Sequence, residues 1–151
     1  MNVLKLILFS ILVYLLVCLI WLKMMLAHRT VYLKRGFMNG TGHWTTTRAL
    51  PDGFQLQNQY RIYNSKPNFD SLTLRQLFEC KRADLHKNFV SLDPKCENEV
   101  FLDVSGLLFI NESSNSVPIY RCRTENDDHF ISTCSNCENA ITEFLIGYIL
   151  I

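Results

Sequence analysis

Residues 3–22 of the chain read VLKLILFSILVYLLVCLIWL and are apolar except for Lys5 and Ser10. An α-helix rises about 1.5 Å per residue, so this stretch is about 30 Å long, which matches the hydrocarbon core of a bilayer. The sequence therefore predicts a transmembrane signal-anchor helix over residues 1–22, in contact with a lipid membrane. A cleaved signal peptide is the alternative, but its apolar region is usually shorter, and only Ala27 offers a small residue for cleavage.

Net charge and size restrict the classes of function. The chain has 15 Lys and Arg against 14 Asp and Glu, a formal net charge of +1, and no run of five basic residues. Nucleic-acid-binding domains carry basic patches, so the sequence predicts no nucleic-acid partner. We expect a basic and polar connector over residues 23–53 and one small cysteine-containing domain over residues 54–151. We expect no internal repeat.

Five cysteines follow the apolar segment, and such a density in a small exported domain is typical of a disulfide framework. Two N-glycosylation sequons, at Asn39 and Asn111, also favour export, because both lie in polar stretches. An odd number of cysteines leaves one thiol over, which predicts pairing with another chain or an exchangeable bond. The candidate disulfide cysteines are Cys80, Cys96, Cys122, Cys134 and Cys137.

Two other interpretations of the cysteines remain open. Four basic residues lie between positions 23 and 35, and the positive-inside rule would keep the following domain in the cytosol, as a membrane adaptor with reduced thiols. The two-residue spacing of Cys134 and Cys137 also suits half of a zinc site, to which His86 or His129 could contribute. No second pair of Cys or His at such a spacing completes the site, so the sequence predicts neither a metal nor another cofactor.

Apolar periodicity predicts the elements of the domain. Period-2 alternation indicates strands over residues 54–63 and 100–104, and we expect a hairpin around residues 111–116. A short helix is predicted over residues 71–83. Ile141, Phe144, Leu145, Tyr148 and Ile149 have helical spacing, which predicts a C-terminal helix. The expected fold class is α+β: an N-terminal transmembrane helix, then one disulfide-stabilised domain with an antiparallel sheet and a C-terminal helix.

The sequence contains none of the common catalytic motifs. It contains no nucleophile elbow, phosphate loop, zinc-protease helix or calcium loop. Asp127, Asp128 and His129 form the nearest approach to an acid–base cluster, but neighbouring residues in a turn normally point apart into water. His43 beside Trp44 is interpreted as a surface pair. We therefore predict that the protein is not an enzyme.

One group of residues resembles the hairpin of invertebrate chitin-binding domains of the peritrophin type, in which an aromatic residue precedes a bridged cysteine. The group consists of Gly106, Phe109, Pro118, Tyr120, Cys122 and Cys134. The resemblance implies that sugar rings stack on Phe109, Tyr120 or Phe130. It lacks the cysteine that the family has just before the tyrosine.

The whole layout, an apolar N-terminal helix with basic residues after it and a compact cysteine-bearing domain, resembles the small envelope proteins of large insect DNA viruses. Among these it looks most like the per os infectivity factors of baculoviruses and nudiviruses. The resemblance implies a single-pass, non-enzymatic subunit of a multiprotein viral entry complex. It also implies location in the virion envelope, with a host membrane or the inner nuclear membrane as an intermediate.

Overall fold

The computed structural model describes residues 3–27, 30–67, 73–83 and 87–151. One helix, α1 (Val3–Ala27), precedes nine strands, and a 3₁₀ turn lies before β6 and before β9. The strands are β1 (Thr30–Met38), β2 (Gly42–Thr46), β3 (Gln55–Tyr63), β4 (Leu74–Lys81), β5 (Asn88–Ser91), β6 (Val100–Phe109), β7 (Ser116–Arg123), β8 (His129–Ser132) and β9 (Ile141–Leu150). The turns are Cys96–Asn98 and Cys137–Asn139.

The strands form three units with the same antiparallel pairing. In each unit a long strand pairs with a short one to form a hairpin, and a third strand pairs with the other edge of the long strand. Unit 1 is β1–β3, unit 2 is β4–β6 and unit 3 is β7–β9. Their third strands join in a closed cycle through three equivalent residue pairs: Tyr63 with Leu107, Phe109 with Tyr148, and Leu150 with Arg61. The domain therefore has approximate threefold symmetry.

Units 2 and 3 also share sequence at an offset of about 41 residues. Phe-Val-Ser at 89–91 corresponds to Phe-Ile-Ser at 130–132, and Cys-Glu-Asn occurs at both 96–98 and 137–139. All six residues of the two Cys-Glu-Asn turns have positive φ. The prediction of no internal repeat is therefore wrong. The repeat is inconspicuous because the identities are few and because unit 1 contains no cysteine.

The core consists of equivalent residues from the three units. Leu33, Leu77 and Ile119 stand at one position of the long strands and are completely buried. Ile62, Leu108 and Ile149 stand at one position of the third strands and are at most 4% exposed. Each triad buries branched apolar side chains, for which removal of apolar surface from water is the main stabilising contribution.

Two glycines permit the third strands to approach one another. Gly106 has φ +149, and a Cβ there would lie 2.4 Å from the carbonyl oxygen of Tyr63 in unit 1. The equivalent Gly147 has φ +158, and its Cβ would lie 2.6 Å from the carbonyl oxygen of Phe109 in unit 2. Since no side chain fits at these distances, glycine is needed at both junctions between units.

The predicted disulfide framework is confirmed in two bonds at equivalent places. Cys80 pairs with Cys96, and Cys122 pairs with Cys137, both with Cα atoms 5.6 Å apart. Each bond joins the long strand of its unit to the 3₁₀ turn that precedes the third strand. All four cysteines are completely buried, and each pair packs against a phenylalanine of the adjacent short strand.

The α+β fold class is wrong, because the domain is an antiparallel β-structure. The expected C-terminal helix is β9, and the expected helix over 71–83 is replaced by β4 from Leu74 onward. Neither strand has the alternation that predicts a strand, because four consecutive residues of β4 from Leu77 are buried and two register shifts place extra residues on β9. Residues 111–116 do not form a hairpin loop; they connect unit 2 to unit 3.

The N-terminal part of the predicted architecture also changes. Among the described residues, no helix meets the length and apolarity needed to cross a bilayer, which corrects the transmembrane helix of the expected fold class. The sheet begins at Thr30, so residues 30–46 of the expected connector form β1 and β2 of unit 1.

Candidate functional site

The three hairpin ends meet at one end of the domain, where β2, β5 and β8 contact one another. They enclose a cleft of about 360 Å³, which we call the apical cleft. Every unit contributes to its lining. The side chains used below are those of Phe37, Thr41, His43, Lys87, Asn126 and Asp128.

A histidine and an aspartate from different units form the base of the apical cleft. Asp128 accepts two hydrogen bonds from His43: one from the backbone N–H at 2.9 Å and one from Nδ1 at 2.6 Å. With the imidazole neutral, the shared proton is on Nδ1, so Nε2 is a hydrogen-bond acceptor. The two side chains are only 13% and 10% exposed, so the pair is largely shielded from water.

Local structure holds this pair in place. The imidazole lies between two rings, with its centroid 4.9 Å from Phe37 and 4.8 Å from Phe130. Gly42 has φ +108, and a Cβ there would lie 2.4 Å from a carboxylate oxygen of Asp128. The absence of a side chain at Gly42 therefore makes room for the carboxylate.

The residues just before the short strands break the symmetry of the cleft. Gly42, Lys87 and Asp128 precede the equivalent residues His43, Asn88 and His129. One unit thus contributes no side chain, one a cation and one an anion. The Lys87 ammonium donates to the carbonyl oxygen of Asn126, which joins the hairpins of units 2 and 3.

Buried arginines link the units below the cleft in a repeated arrangement that we call the clasp. Arg121 of β7 contacts Glu97 and donates to the carbonyl oxygen of Val90 at 3.1 Å. Arg35 of β1 contacts Glu138 at 2.7 and 3.1 Å and donates to the carbonyl oxygen of Ile131 at 3.0 Å. The same serine of each hairpin, Ser91 or Ser132, donates to the clasp glutamate.

The third clasp has its charges reversed. Glu79 stands on β4 where the other long strands have arginine, and it is completely buried. Arg48, which follows β2, contacts its carboxylate at 3.1 Å, and Thr46 donates to it at 2.8 Å. Three clasps therefore connect unit 3 to unit 2, unit 1 to unit 3, and unit 2 to unit 1.

A second cleft, of about 260 Å³, lies beside the Arg121 clasp. Glu143 contacts Arg121 at 2.6 Å, Arg123 at 3.4 Å and His129 at 3.5 Å. Burial would raise the pKa of Glu143, but the hydrogen bond from His129 and the charge of Arg121 outweigh it and lower the pKa to about 2. The charged groups of this cleft pair with one another, so they contribute to the stability of the fold.

The clasp glutamates are also held in the charged form. For Glu97, burial acts to raise the pKa, but hydrogen bonds from Arg121 and Ser91 lower it below its ordinary value. For Glu138, the hydrogen bond from Arg35 is the main cause that lowers the pKa. Both carboxylates therefore stay ionised at neutral pH, where they pair with their arginines.

The other residues singled out from the sequence lie in different environments. Cys134 is exposed and is in neither disulfide. Asn39 and Asn111 are exposed, Asn39 in the turn between β1 and β2. The candidate carbohydrate contacts are not an exposed platform, since Phe109 and Phe130 are at most 6% exposed and Tyr120 is half-buried.

Sequence reasoning missed the pairing of His43 with Asp128. The two residues are 85 positions apart, and each was interpreted within its own loop. The internal repeat could have indicated this pairing. Alignment of the hairpins makes Gly42-His43 equivalent to Asp128-His129, and equivalent residues lie at the same end of the domain. In the part of the chain that the structure describes, no three metal-ligating side chains come together. His86, a possible zinc ligand, lies outside the described residues.

No protein-family model, curated protein or solved structure matches this chain.

Proposed function

We propose that the protein is a non-enzymatic recognition module that binds a small polar ligand in the apical cleft. One observation carries the proposal: a shielded imidazole–carboxylate pair lies at the base of a cleft that all three hairpins line. Ligand sites are usually preformed concave pockets of about 300–1,000 Å³ with a few fixed polar groups. The apical cleft has this size, and its mostly polar lining suits a small polar ligand.

The chemistry of the pair supports binding without catalysis. A histidine oriented by a carboxylate acts as a general base when a nucleophile is hydrogen-bonded to its other nitrogen. Among the described residues, no hydroxyl or thiol is hydrogen-bonded to Nε2 of His43. The imidazole is therefore available as a fixed hydrogen-bond acceptor for a ligand.

We place this module in an oxidising compartment. Two buried disulfides support the placement, since such bonds persist outside the cytosol. The exposed sequons at Asn39 and Asn111 agree with it. The resemblance to small viral envelope proteins would specify this compartment as the surface of a virion.

Binding at the apical cleft is tested by NMR. The full-length, isotope-labelled protein is titrated with a library of small polar compounds, and backbone amide shifts are mapped. We expect binding compounds to shift the amides of residues 40–43 and 124–128. A matched pair of variants supports the mapping: Asn126→Trp, which fills the cleft, abolishes the shifts, whereas Asn115→Trp, at an exposed position between units 2 and 3, preserves them. Compounds that shift only other regions, or none, would refute the proposal.

A second candidate function is docking to other envelope proteins, which the viral resemblance implies. The supporting observation is exposed apolar surface at the start of two equivalent strands. Val100, Phe101 and Val104 of β6 are 42–50% exposed, and Ile141 and Leu145 of β9 are 43% and 38% exposed. Apolar patches of this kind often mark protein–protein contacts.

Docking is tested by mixing the full-length protein with individual recombinant envelope proteins of large insect DNA viruses. A complex is detected by analytical ultracentrifugation. We expect Val104→Lys to abolish it and the exposed control Gln57→Lys to leave it unchanged. A complex that survives Val104→Lys and Ile141→Lys together would show that these strands are not the docking surface, and failure of every mixture to form a complex would count against this function.

A further inference from the structure

We infer that the ligand of the apical cleft is an acidic sugar, a hydroxylated ring that bears one carboxylate. The inference rests on the proposed function and adds the chemical class of the ligand. It depends on which polar groups of the cleft are already hydrogen-bonded within the protein and which are available to a ligand.

Both carboxylate oxygens of Asp128 already accept hydrogen bonds within the protein. Asp128 directs one oxygen to the backbone N–H and the other to Nδ1 of His43. Its backbone N–H is held by the Thr124 hydroxyl at 3.2 Å, which fixes the turn that carries it. A ligand cation would have to compete with this buried pair for the carboxylate.

The positive charge of the cleft remains available. Lys87 is half-buried, and its contact among the described residues is to the carbonyl oxygen of Asn126 rather than to a carboxylate. An ammonium has three donors, so two can still reach a ligand. These two donors can pair with one ligand carboxylate, so the ammonium favours a ligand with a single negative charge.

The remaining groups suit a hydroxylated ring. Nε2 of His43 accepts a hydrogen bond from a ligand hydroxyl, and the exposed Thr41 hydroxyl and Asn126 amide offer both donors and acceptors. Phe37 lines the same cleft and presents an apolar surface to the ring face. Carboxylate, hydroxyls and an apolar ring face occur together in uronic acids.

Two ligands that differ in one group provide the test. Methyl β-D-glucuronide and methyl β-D-glucoside differ only in a carboxylate in place of a hydroxymethyl group. Each is titrated against the full-length protein after enzymatic removal of any glycan at Asn39, and the dissociation constant is measured from amide shifts. We expect the glucuronide to bind about tenfold more tightly, as a charge-assisted hydrogen bond provides.

Variants connect this preference to named residues. Lys87→Met should weaken binding of the glucuronide more than binding of the glucoside, which reduces the preference to less than about twofold. Lys95→Met, which removes an exposed lysine in the loop before the Cys96 turn, should leave both ligands unaffected. Asn126→Trp should abolish binding of both.

The outcomes separate this inference from the proposed function. Equal affinity for the two sugars, or a preference that survives Lys87→Met, overturns the acidic-sugar assignment. If library compounds shift the apical amides but neither sugar does, only the ligand class is wrong. If nothing shifts those amides, the proposed function fails together with the inference.

Discussion

Replacement of Arg121 by methionine tests whether the clasps hold the three units together. Arg121 is 6% exposed, and its guanidinium contacts Glu97, Glu143 and the carbonyl oxygen of Val90. It also lies 4.6 Å from the ring centre of Phe144. Methionine preserves much of the packing volume and removes the charge together with its hydrogen bonds.

The expected loss of stability follows from what remains after the substitution. Removal of one partner of a buried ion pair costs about 3–5 kcal/mol, because the other charge stays buried. Here Glu97 is 43% exposed and can be hydrated, while Glu143 keeps its contacts with Arg123 and His129. We therefore expect the lower end of that range, about 3 kcal/mol.

Urea unfolding followed by circular dichroism measures the effect. A slope of about 2 kcal/mol per M converts the expected loss into a midpoint about 1.5 M lower. The control Lys34→Met removes a surface lysine that donates to the carbonyl oxygen of Arg48, and it should cost less than about 0.5 kcal/mol. A loss below about 1 kcal/mol for Arg121→Met would show that the clasp is worth no more than a surface ion pair.

Three further predictions concern stability. Gly106→Ala should cost about 3 kcal/mol by urea unfolding, because the added Cβ meets a carbonyl oxygen of unit 1, whereas Gly40→Ala, with nothing within 4 Å, should lose only about 1 kcal/mol; equal losses would contradict this. Joint replacement of Cys122 and Cys137 by alanine should lower the free energy of unfolding by about 3 kcal/mol under non-reducing conditions, and an unchanged value would show that this bond contributes nothing. The pKa of Glu143 is lowered from 4.5 to about 2, so its contribution is complete above pH 4.5 and is lost as the pH falls toward 2. Solvent screening reduces this contribution to about 1–2 kcal/mol, and a wild type whose stability falls no more steeply than that of Glu143→Gln over this range would refute it.

Local properties of the sequence predicted part of this structure. Alternation over residues 54–63 and 100–104 correctly indicated strands, because successive side chains of a strand point to opposite faces. The same reasoning failed at β4, where four consecutive residues from Leu77 are buried, and at β9, where register shifts interrupt that period. A bulge depends on the partner strand, so no local pattern predicts it.

The candidate site was less predictable than the strands. His43 and Asp128 have no local signature, since each lies in a turn of ordinary composition. Comparison of the hairpins with one another would have aligned them, but the shared residues of units 2 and 3 are few, and unit 1 shares almost none. The sequence also did not predict that Phe109 and Phe130 are buried, because an aromatic side chain suits a sheet core as well as a binding surface.

The sequence by itself determined the disulfide-forming character of the domain and most of its strands, because cysteine content and side-chain alternation act through composition and nearest neighbours. Only the tertiary structure decided which cysteine stays outside the bonds, that the C-terminal segment is a strand, and that an imidazole of unit 1 meets a carboxylate of unit 3. These outcomes depend on contacts between residues far apart in the chain. Such contacts exist only once the three units close around their shared core.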